Sequence, residues 1–325
     1  MSTPMSLELP AGVRRTTIRT PRGAFAALEA MPASGVCERD PALLVPGYTG
    51  SKEDFTAILD LLADGSRQVT AIDIRGQFET PGAREPGGYT AAALGADILA
   101  VMRETGARHL VGHSYGGLIG REAVLAAGGT AFASFTLMSS GPAALTGPRA
   151  GELRAMLATL GLGDSPGDGG SPGDSGSPGD SGQLDQATLR AAIAEIWRVH
   201  LEPQAVAAGV PASIVAFLGR RMLANDPAGL VLMAQHMLTA PDRTAELAQL
   251  DRPMLVIYGE DDNAWSPAAQ ERMAQRLGAR RLCIPAAMHS PAVEAPATTA
   301  SALTKFWDMA EATPTRHPAA ATQPA

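Results

Sequence analysis

Cysteine and lysine are nearly absent from this chain. Its 325 residues include 2 cysteines, Cys37 and Cys283, which lie far apart and have no second cysteine or histidine cluster nearby. This excludes a disulfide framework and the ligand spacing of a zinc site. Only Lys52 and Lys305 are lysines, and 26 Lys and Arg residues face 33 Asp and Glu residues, for a formal net charge of −7. The acidic balance argues against a protein that binds nucleic acid.

Long apolar runs are also missing. No run approaches the roughly 18 residues that a membrane-spanning helix needs, and residues 1–15 contain no apolar core of signal-peptide length. We therefore expect a soluble protein of the cytoplasm without a membrane partner. Hydrophobic residues make up 45% of the chain, enough to bury a sizeable core. The 35 glycines and 25 prolines indicate either long loops or a segment outside the fold.

Strand and helix patterns alternate over residues 1–141. Residues 13–30 are predicted to form a hairpin, with strands at 13–19 and 24–30 and a turn at 21–23. Short apolar runs predict further strands at 42–45, 69–74, 109–111 and 132–138, and apolar periodicity predicts helices at 52–63, 90–104 and 118–127. Such alternation is typical of βαβ units, which build a mostly parallel sheet covered by helices on both faces. The fold class is therefore α/β.

The alternation stops at residue 142 and resumes at residue 251. The intervening patterns are helical or irregular, and then a strand (254–258), a helix (267–277), a strand (281–284) and a last helix to about 310 follow. We therefore predict an α/β core in two segments, 1–141 and 251–312, interrupted by a helical insertion at 142–250. The Pro-, Thr- and Ala-rich tail, 313–325, is expected to be disordered.

A triplicated Ser-Pro-Gly-Asp unit lies within residues 163–182. Its aspartates and glycines suggest a calcium-binding repeat, but that structure needs an aliphatic residue in each repeat, and there is none. The composition favours a flexible linker instead. We therefore predict no metal site.

The most informative motif is Gly112-His113-Ser114-Tyr115-Gly116, which matches G-x-S-x-G. It falls between a predicted strand and a predicted helix. In that context the serine occupies a strained turn with its hydroxyl exposed, and the flanking glycines leave room for neighbouring backbone. Ser114 is therefore the candidate nucleophile.

A serine hydroxyl needs a base, and the strand-turn-helix context orders the partners as Ser, acid, His. Of six histidines, His109 and His113 precede Ser114, and the other candidates lie in the insertion or the tail, namely His200, His236 and His317. Only His289 follows the final strand. We therefore predict His289 as the base.

The acid must follow a strand end. The strand at 132–138 is followed by no carboxylate, whereas the strand at 254–258 is followed by Gly259 and then Glu260, Asp261 and Asp262. Asp262 is favoured, Asp261 is the alternative, and Glu260 is expected to face solvent.

An oxyanion hole needs two N–H donors. One is predicted to be the main-chain N–H of Tyr115, directly after the nucleophile. The other is predicted to be the N–H of Tyr48, in the turn Pro46-Gly47-Tyr48 that follows the strand at 42–45. For the Tyr48 side chain, packing at a pocket mouth and a catalytic role both remain open.

Taken together, these motifs resemble the α/β-hydrolase superfamily over residues 1–140 and 251–310. The supporting sequences are Val45-Pro46-Gly47-Tyr48, Asp73-Ile74-Arg75-Gly76, the serine motif, Gly259-Glu260-Asp261-Asp262, and His289 with Glu294 and Pro296 behind it. The resemblance implies an acid three residues after the strand-ending glycine, which selects Asp262. The family's usual His-Gly before the oxyanion donor is Pro46-Gly47 here. Asp73 and Arg75 look like turn scaffolding and are assigned no catalytic role.

The resemblance implies a cap formed by the insertion and a serine hydrolase of carboxylic esters or related acyl bonds that needs no cofactor. Two stretches of the insertion, 214–223 and 230–238, are apolar, and where they line the pocket we expect a small, apolar acyl substrate. Ser114 excludes the branches with an aspartate nucleophile, and residues 142–250 contain no tyrosine of the kind that epoxide hydrolases use. Met222, Met233 and Met237 in the insertion are expected to serve helix packing more than pocket lining. Thioesterase, lactonase, C–C bond hydrolase and perhydrolase activities remain alternatives, as does a non-catalytic ligand receptor on the same scaffold. The oligomeric state is left open.

Overall fold

The structure, a computed structural model, describes residues 2–128, 131–160, 162 and 186–312. The predicted linker at 163–182 and the predicted tail at 313–325 lie outside the described residues.

The described residues form one eight-stranded sheet in the order β1-β2-β4-β3-β5-β6-β7-β8. Its first two strands form an antiparallel hairpin at one edge, β2 pairs antiparallel with β4, and the remaining neighbours are parallel. The predicted α/β class with a mostly parallel sheet is therefore confirmed. The strands are β1 (Val13–Thr20), β2 (Gly23–Ala30), β3 (Ala42–Val45), β4 (Val69–Ile72), β5 (His109–His113), β6 (Ser134–Met138), β7 (Met254–Gly259) and β8 (Arg280–Ile284).

Twelve α-helices lie in the described part of the chain. They are α1 (Thr56–Ala63), α2 (Ala91–Thr105), α3 (Tyr115–Ala127), α4 (Gly147–Thr159), α5 (Gln186–Ile196), α6 (Glu202–Ala207), α7 (Ala212–Ala224), α8 (Pro227–Thr239), α9 (Thr244–Ala248), α10 (Pro267–Leu277), α11 (Pro291–Glu294) and α12 (Pro296–Ala312). A π-helical turn, Trp197–Leu201, joins α5 to α6. No helix of these residues has both the length and the apolar character needed to cross a membrane.

Element boundaries differ from the predictions by a few residues. The predicted helix at 52–63 begins with a 3₁₀ turn, Lys52–Phe55, before α1, and α3 begins at Tyr115 rather than Leu118. The early start of α3 follows from the turn at Ser114, which directs the chain into helix at once. The N-terminus of α2 is capped by Thr90, whose hydroxyl accepts a hydrogen bond from Ala93 N–H at 3.2 Å.

Two apolar layers cover the sheet, one on each face. On one face, α2 and α3 bury side chains such as Ile98 and Leu118 against the sheet. On the other, α1 and α12 bury Leu59, Phe306 and Trp307. Because both faces are covered, β3 to β7 are buried at every residue. The apolar runs within them, such as 42–45 and 254–258, are the signal that predicted strands.

Helices α4–α9 lie between β6 and β7, and the described residues from 139 to 253 contain no strand. The turn between α7 and α8 is attached to the loop after β4. Asp226 donates its N–H to Gly76 at 2.8 Å, and the side chain of Asn225 accepts the N–H of Phe78 at 3.3 Å. Arg221 forms a buried ion pair with Asp54 at 2.7 Å. These contacts fix the α7–α8 pair over the sheet edge where β3 and β4 end.

Asp73 and Arg75 hold a turn together. Asp73 accepts hydrogen bonds from the main chain and the ammonium of Lys52, at 2.8 and 2.9 Å, while Arg75 pairs with Asp97 on α2. Burial of the Asp73 carboxyl raises its pKa to about 7, even though the neighbouring Lys52 opposes the shift. Both residues therefore have structural partners, consistent with the scaffolding role expected from the sequence.

Candidate active site

Ser114 lies on the turn that joins β5 to α3. Its backbone is in a strained conformation, with φ 55° and ψ −119°, and the residue is 7% exposed. The flanking glycines are required here by close backbone. A Cβ on Gly112 would lie 2.4 Å from the carbonyl oxygen of Gly116, and a Cβ on Gly116 would lie 2.4 Å from that of Val45. The strand, turn and helix predicted around the motif are all present.

The structure brings Ser114, His289 and Asp262 together in one hydrogen-bonded chain. Ser114 Oγ lies 2.9 Å from His289 Nε2, and His289 Nδ1 lies 2.9 Å from Asp262 Oδ1. Serine, aspartate and histidine come from the loops after β5, β7 and β8. Because these are parallel strands of one sheet, their carboxyl ends meet at the same edge. This explains how residues 175 positions apart come into contact.

Asp262 differs from its acidic neighbours in burial and in partner. Glu260 and Asp261 are exposed, whereas the side chain of Asp262 is 0% accessible and faces His289. Glu260 accepts the N–H of Ala286 at 3.3 Å instead. Of the two acids that the sequence left open, it is Asp262 that lies against His289.

Burial by itself would raise the pKa of Asp262. The hydrogen bond and charge of His289, with the hydrogen bonds from Ala264 N–H and Gln270, outweigh it and hold the pKa below its ordinary 3.8. The carboxylate is therefore ionised at neutral pH. An ionised acid at Nδ1 keeps the proton there and leaves Nε2 as the acceptor for the serine proton.

The turn that carries Tyr48 lies directly against Ser114, the predicted nucleophile. A Cβ on Gly47 would come within 2.9 Å of Ser114 Cβ. Within the described residues, neither the N–H of Tyr48 nor that of Tyr115 has a hydrogen-bond acceptor. Free N–H groups beside a nucleophile, one of them at a helix N-terminus, are suited to stabilise negative charge. The Tyr48 hydroxyl donates to the carbonyl of Leu230 on α8 at 3.1 Å, so its side chain connects this turn to the helical insertion.

Two further groups support the loop that carries His289. His113 is buried, and its Nε2 lies 2.7 Å from the carbonyl oxygen of His289. Glu294 accepts the N–H groups on either side of His289, those of Met288 at 2.5 Å and Ser290 at 3.2 Å. The main chain of His289 is thus fixed on both sides of the imidazole.

The buried His113 makes a testable contribution to stability. Burial lowers its pKa from 6.5 to about 3, with the nearby His289 as a further cause. As the pH drops below 6.5, the unfolded chain binds a proton at this residue, whereas the folded chain does not bind it until about pH 3. The free energy of unfolding therefore decreases as the pH is lowered through this range. At one pKa unit per about 1.4 kcal/mol, we expect His113→Gln to reduce the loss of unfolding free energy between pH 7 and pH 4 by about 2–3 kcal/mol.

Urea unfolding at the two pH values measures this difference. The exposed His200 provides the control. Between pH 7 and pH 4, His200→Gln should lose as much unfolding free energy as the unmodified protein. An equal loss in all three proteins would contradict the account of His113.

The remaining histidines lie elsewhere. His109 is buried beside Ser134 and Glu311, and His200 is exposed. The Nδ1 of His236 lies 3.3 Å from the hydroxyl of Tyr115, where burial lowers the pKa of this imidazole. His317 lies outside the described residues.

Among the described residues, one group has a metal-like arrangement, formed by Asp40, His109 and Glu311, whose ligand atoms lie within 4.8 Å of one another. The buried Arg67 donates to Glu311 at 2.7 Å and to the carbonyl of Asp40 at 2.8 Å. A guanidinium in this position balances the negative charge of the carboxylates and repels a metal cation. We assign the group as an ion-pair network.

Sequence reasoning missed one polar residue of this site, Gln270. Its amide donates to Asp262 Oδ2 at 2.9 Å. The available signal was a polar residue on an apolar helix face, since Gln270 shares a face with Met273, Ala274 and Leu277 of α10.

Comparison with known proteins agrees with this fold. A sequence profile described as the alpha/beta hydrolase family matches residues 42–302, and the chain belongs to this family. A protein of Variovorax paradoxus strain S110 that bears the name of a carbamate hydrolase, RutD, is 32% identical over 93 residues. That match spans 28% of this chain and 35% of the relative, so the chain is aligned with about a third of that protein.

Solved structures resemble the chain over nearly its whole length. An esterase from Thermogutta terrifontis has a TM-score of 0.62 at 20% identity and covers 91% of this chain and 99% of its own. An enol-lactonase from Burkholderia xenovorans LB400 has a TM-score of 0.63 at 18% identity, with 90% and 100% covered. An esterase from Exiguobacterium antarcticum has a TM-score of 0.65 at 15% identity, with 91% and 100% covered. At these identities the likeness shows the fold.

Proposed function

We propose that the protein is a serine hydrolase that cleaves a carboxylic ester or a related acyl bond. The observation that carries the proposal is the hydrogen-bonded chain from Ser114 Oγ through His289 to Asp262, with both steps at 2.9 Å. A serine is a useful nucleophile only when a base accepts its proton and an acid orients that base. This arrangement provides both.

In the proposed mechanism, Ser114 Oγ attacks the substrate carbonyl while His289 Nε2 takes the hydroxyl proton. Asp262 keeps its charge and stabilises the imidazolium that forms. The N–H groups of Tyr48 and Tyr115 donate to the oxyanion. His289 then gives its proton to the leaving oxygen as the C–O bond breaks, which leaves an acyl group on Ser114. A water molecule, activated by His289, hydrolyses that ester and restores the serine. Every step uses protein groups and water alone.

Helices α4–α9 supply the proposed cap. Two contacts favour this role, since the Tyr48 hydroxyl donates to Leu230 of α8 and the Tyr115 hydroxyl lies beside His236 of the same helix. The helical insertion thus reaches both tyrosines that flank the nucleophile. Its α7–α8 pair is rich in buried apolar side chains, including Met222, Met233 and Met237. We propose that part of this apolar surface faces the triad and that the cap therefore selects a small, apolar acyl substrate.

The alternatives share this triad and differ in the bond that they break. A panel of p-nitrophenyl esters of graded acyl length, with matched thioesters, lactones and carbamates, separates them by kcat/KM. The carbamates are included because of the partial similarity to the Variovorax protein. We expect the highest kcat/KM with short to medium carboxylic esters. Preference for another member of the panel by more than about tenfold, which is about 1.4 kcal/mol of transition-state binding, would change the assigned bond.

A receptor on a hydrolase scaffold is the non-enzymatic alternative. It would bind an ester or lactone and turn it over very slowly. Steady release of many equivalents of p-nitrophenol per chain supports an enzyme, whereas a single equivalent without further turnover supports a receptor.

A further inference from the structure

A fully buried glutamine lies against the carboxylate of Asp262. Gln270 belongs to the first turns of α10, a helix that begins at Pro267 after the cap residue Ser266. Its Nε2 donates to Asp262 Oδ2 and to the main-chain carbonyl of Trp265, both at 2.9 Å. Because both neighbours of this end of the amide are acceptors, the NH₂ group must face them.

Each oxygen of Asp262 has its own partners. Oδ1 accepts from the N–H of Ala264 and from His289 Nδ1, both at 2.9 Å, while among the described residues Gln270 is the hydrogen-bond donor to Oδ2. The side chain of Asp262 is inaccessible to solvent, so bulk water does not replace this donor. The amide therefore sets the rotation of the carboxylate about its Cβ–Cγ bond.

The acceptor end of the Gln270 amide costs stability. Its Oε1 is buried and has no hydrogen-bond partner among the described residues. A buried polar atom without a partner costs about 1–3 kcal/mol. An apolar side chain at this position of α10 would avoid that cost and would match the other buried residues of the helix, Met273 and Ala274. The unpaired Oε1 therefore lowers the free energy of unfolding, and only the hydrogen bonds that Nε2 donates offset this loss.

We propose that Gln270 is a positioning residue, whose amide holds the carboxylate of Asp262 in the rotation that orients His289 towards Ser114. The inference rests on the proposed function, in which Asp262 orients the base. Gln270 does not touch the substrate and acts through Asp262.

The first test replaces the amide with an apolar group of similar length. Gln270→Met removes the donor to Oδ2 and also removes the unpaired Oε1, so the two effects on stability oppose each other. We expect kcat for a p-nitrophenyl ester to fall about 10- to 100-fold, by analogy with the hydrogen-bond partners that orient metal-binding side chains. KM should stay within about twofold because no substrate contact is lost. A merely structural residue would instead lower Tm and leave kcat of the folded fraction unchanged.

The second test compares the same Gln-to-Glu substitution at two places on α10. Gln270→Glu puts a second carboxyl group beside Asp262, whereas Gln275 is exposed, so Gln275→Glu adds a carboxylate at the surface. The titratable or charged groups around Asp262 are His289, His113 and the exposed Asp261. Helix α10 itself carries three charged residues, namely Arg272, Glu271, which pairs with Arg281, and Arg276, which pairs with Asp242.

Two carboxyl groups about 3 Å apart in a buried site cannot both ionise, so the new carboxyl group keeps its proton near neutral pH and donates it to Asp262 Oδ2 in place of the amide. At higher pH it loses that proton, and repulsion between the two carboxylates moves Asp262 out of its orientation. We therefore expect kcat/KM of Gln270→Glu to fall on the alkaline side of the pH profile, where Gln275→Glu and the unmodified protein keep their activity.

Two results would overturn the proposal. One is a Gln270→Met protein whose kcat stays within about twofold of the unmodified protein. If Gln270→Glu does not fold, the Gln270→Met result alone decides the question. The other is an identical pH profile for the two glutamate variants. Either result, obtained while Ser114→Ala and Asp262→Asn are inactive, removes the role of Gln270 alone. Activity that survives in Ser114→Ala would remove the proposed function itself.

Discussion

Replacing Ser114 with alanine is expected to lower kcat for a short p-nitrophenyl ester by about 10⁴-fold or more. The proposed mechanism has no other nucleophile, because the acyl group is carried by Ser114 Oγ. The fold should be unaffected, since the side chain loses one oxygen and one hydrogen bond, to His289. Steady-state hydrolysis together with circular dichroism checks both parts of this expectation.

A neighbouring serine provides the matched control for this substitution. Ser140 follows β6, the strand next to β5, and its buried hydroxyl has no partner among the described residues. Ser140→Ala should therefore keep kcat within about twofold of the unmodified protein. If both alanine variants keep most of their activity, Ser114 is not the nucleophile.

The second large effect is expected at the acid. Asp262→Asn should lower kcat by about 10³- to 10⁴-fold, because an amide no longer holds the proton on His289 Nδ1 or stabilises the imidazolium. The geometry at Ser114 is retained, so the substrate should still bind and KM should change little. The kcat and KM values for the same p-nitrophenyl ester measure the two contributions.

The adjacent aspartate makes this experiment specific. Asp261→Asn is the same chemical change one residue earlier, on an exposed side chain, and it should leave kcat unchanged. A large loss in Asp261→Asn with little loss in Asp262→Asn would reverse the assignment of the acid.

Much of the fold and the site could be predicted because the signals are local. Short apolar runs predicted the strands, and parallel strands place their carboxyl ends at one edge. Because Ser114, Asp262 and His289 each follow a predicted strand, their positions along the chain predicted that all three lie at that edge. The glycines at 112 and 116 had a local reason as well, since a Cβ at either position would meet backbone at 2.4 Å.

The remaining features depend on contacts between residues that are distant in sequence. Arg221 and Asp54 pair across 167 positions to attach α7, and neither residue is distinguished by its neighbours. Gln270 was missed for a related reason, because its partner depends on how α10 packs beside the loop after β7. The sequence favoured Asp262 but left Asp261 open, and the resemblance to a family was needed to select Asp262.

The central claim is that Ser114 becomes covalently modified during the reaction, and one labelling experiment tests it directly. The protein is treated with a fluorophosphonate while ester hydrolysis is followed, and digested samples are analysed by mass spectrometry. We expect one phosphonyl group per chain, on Ser114, that accumulates in proportion to the loss of hydrolysis, and no label on Ser114→Ala. Loss of hydrolysis with the label on another residue, or full labelling of Ser114 with hydrolysis unchanged, would contradict the claim.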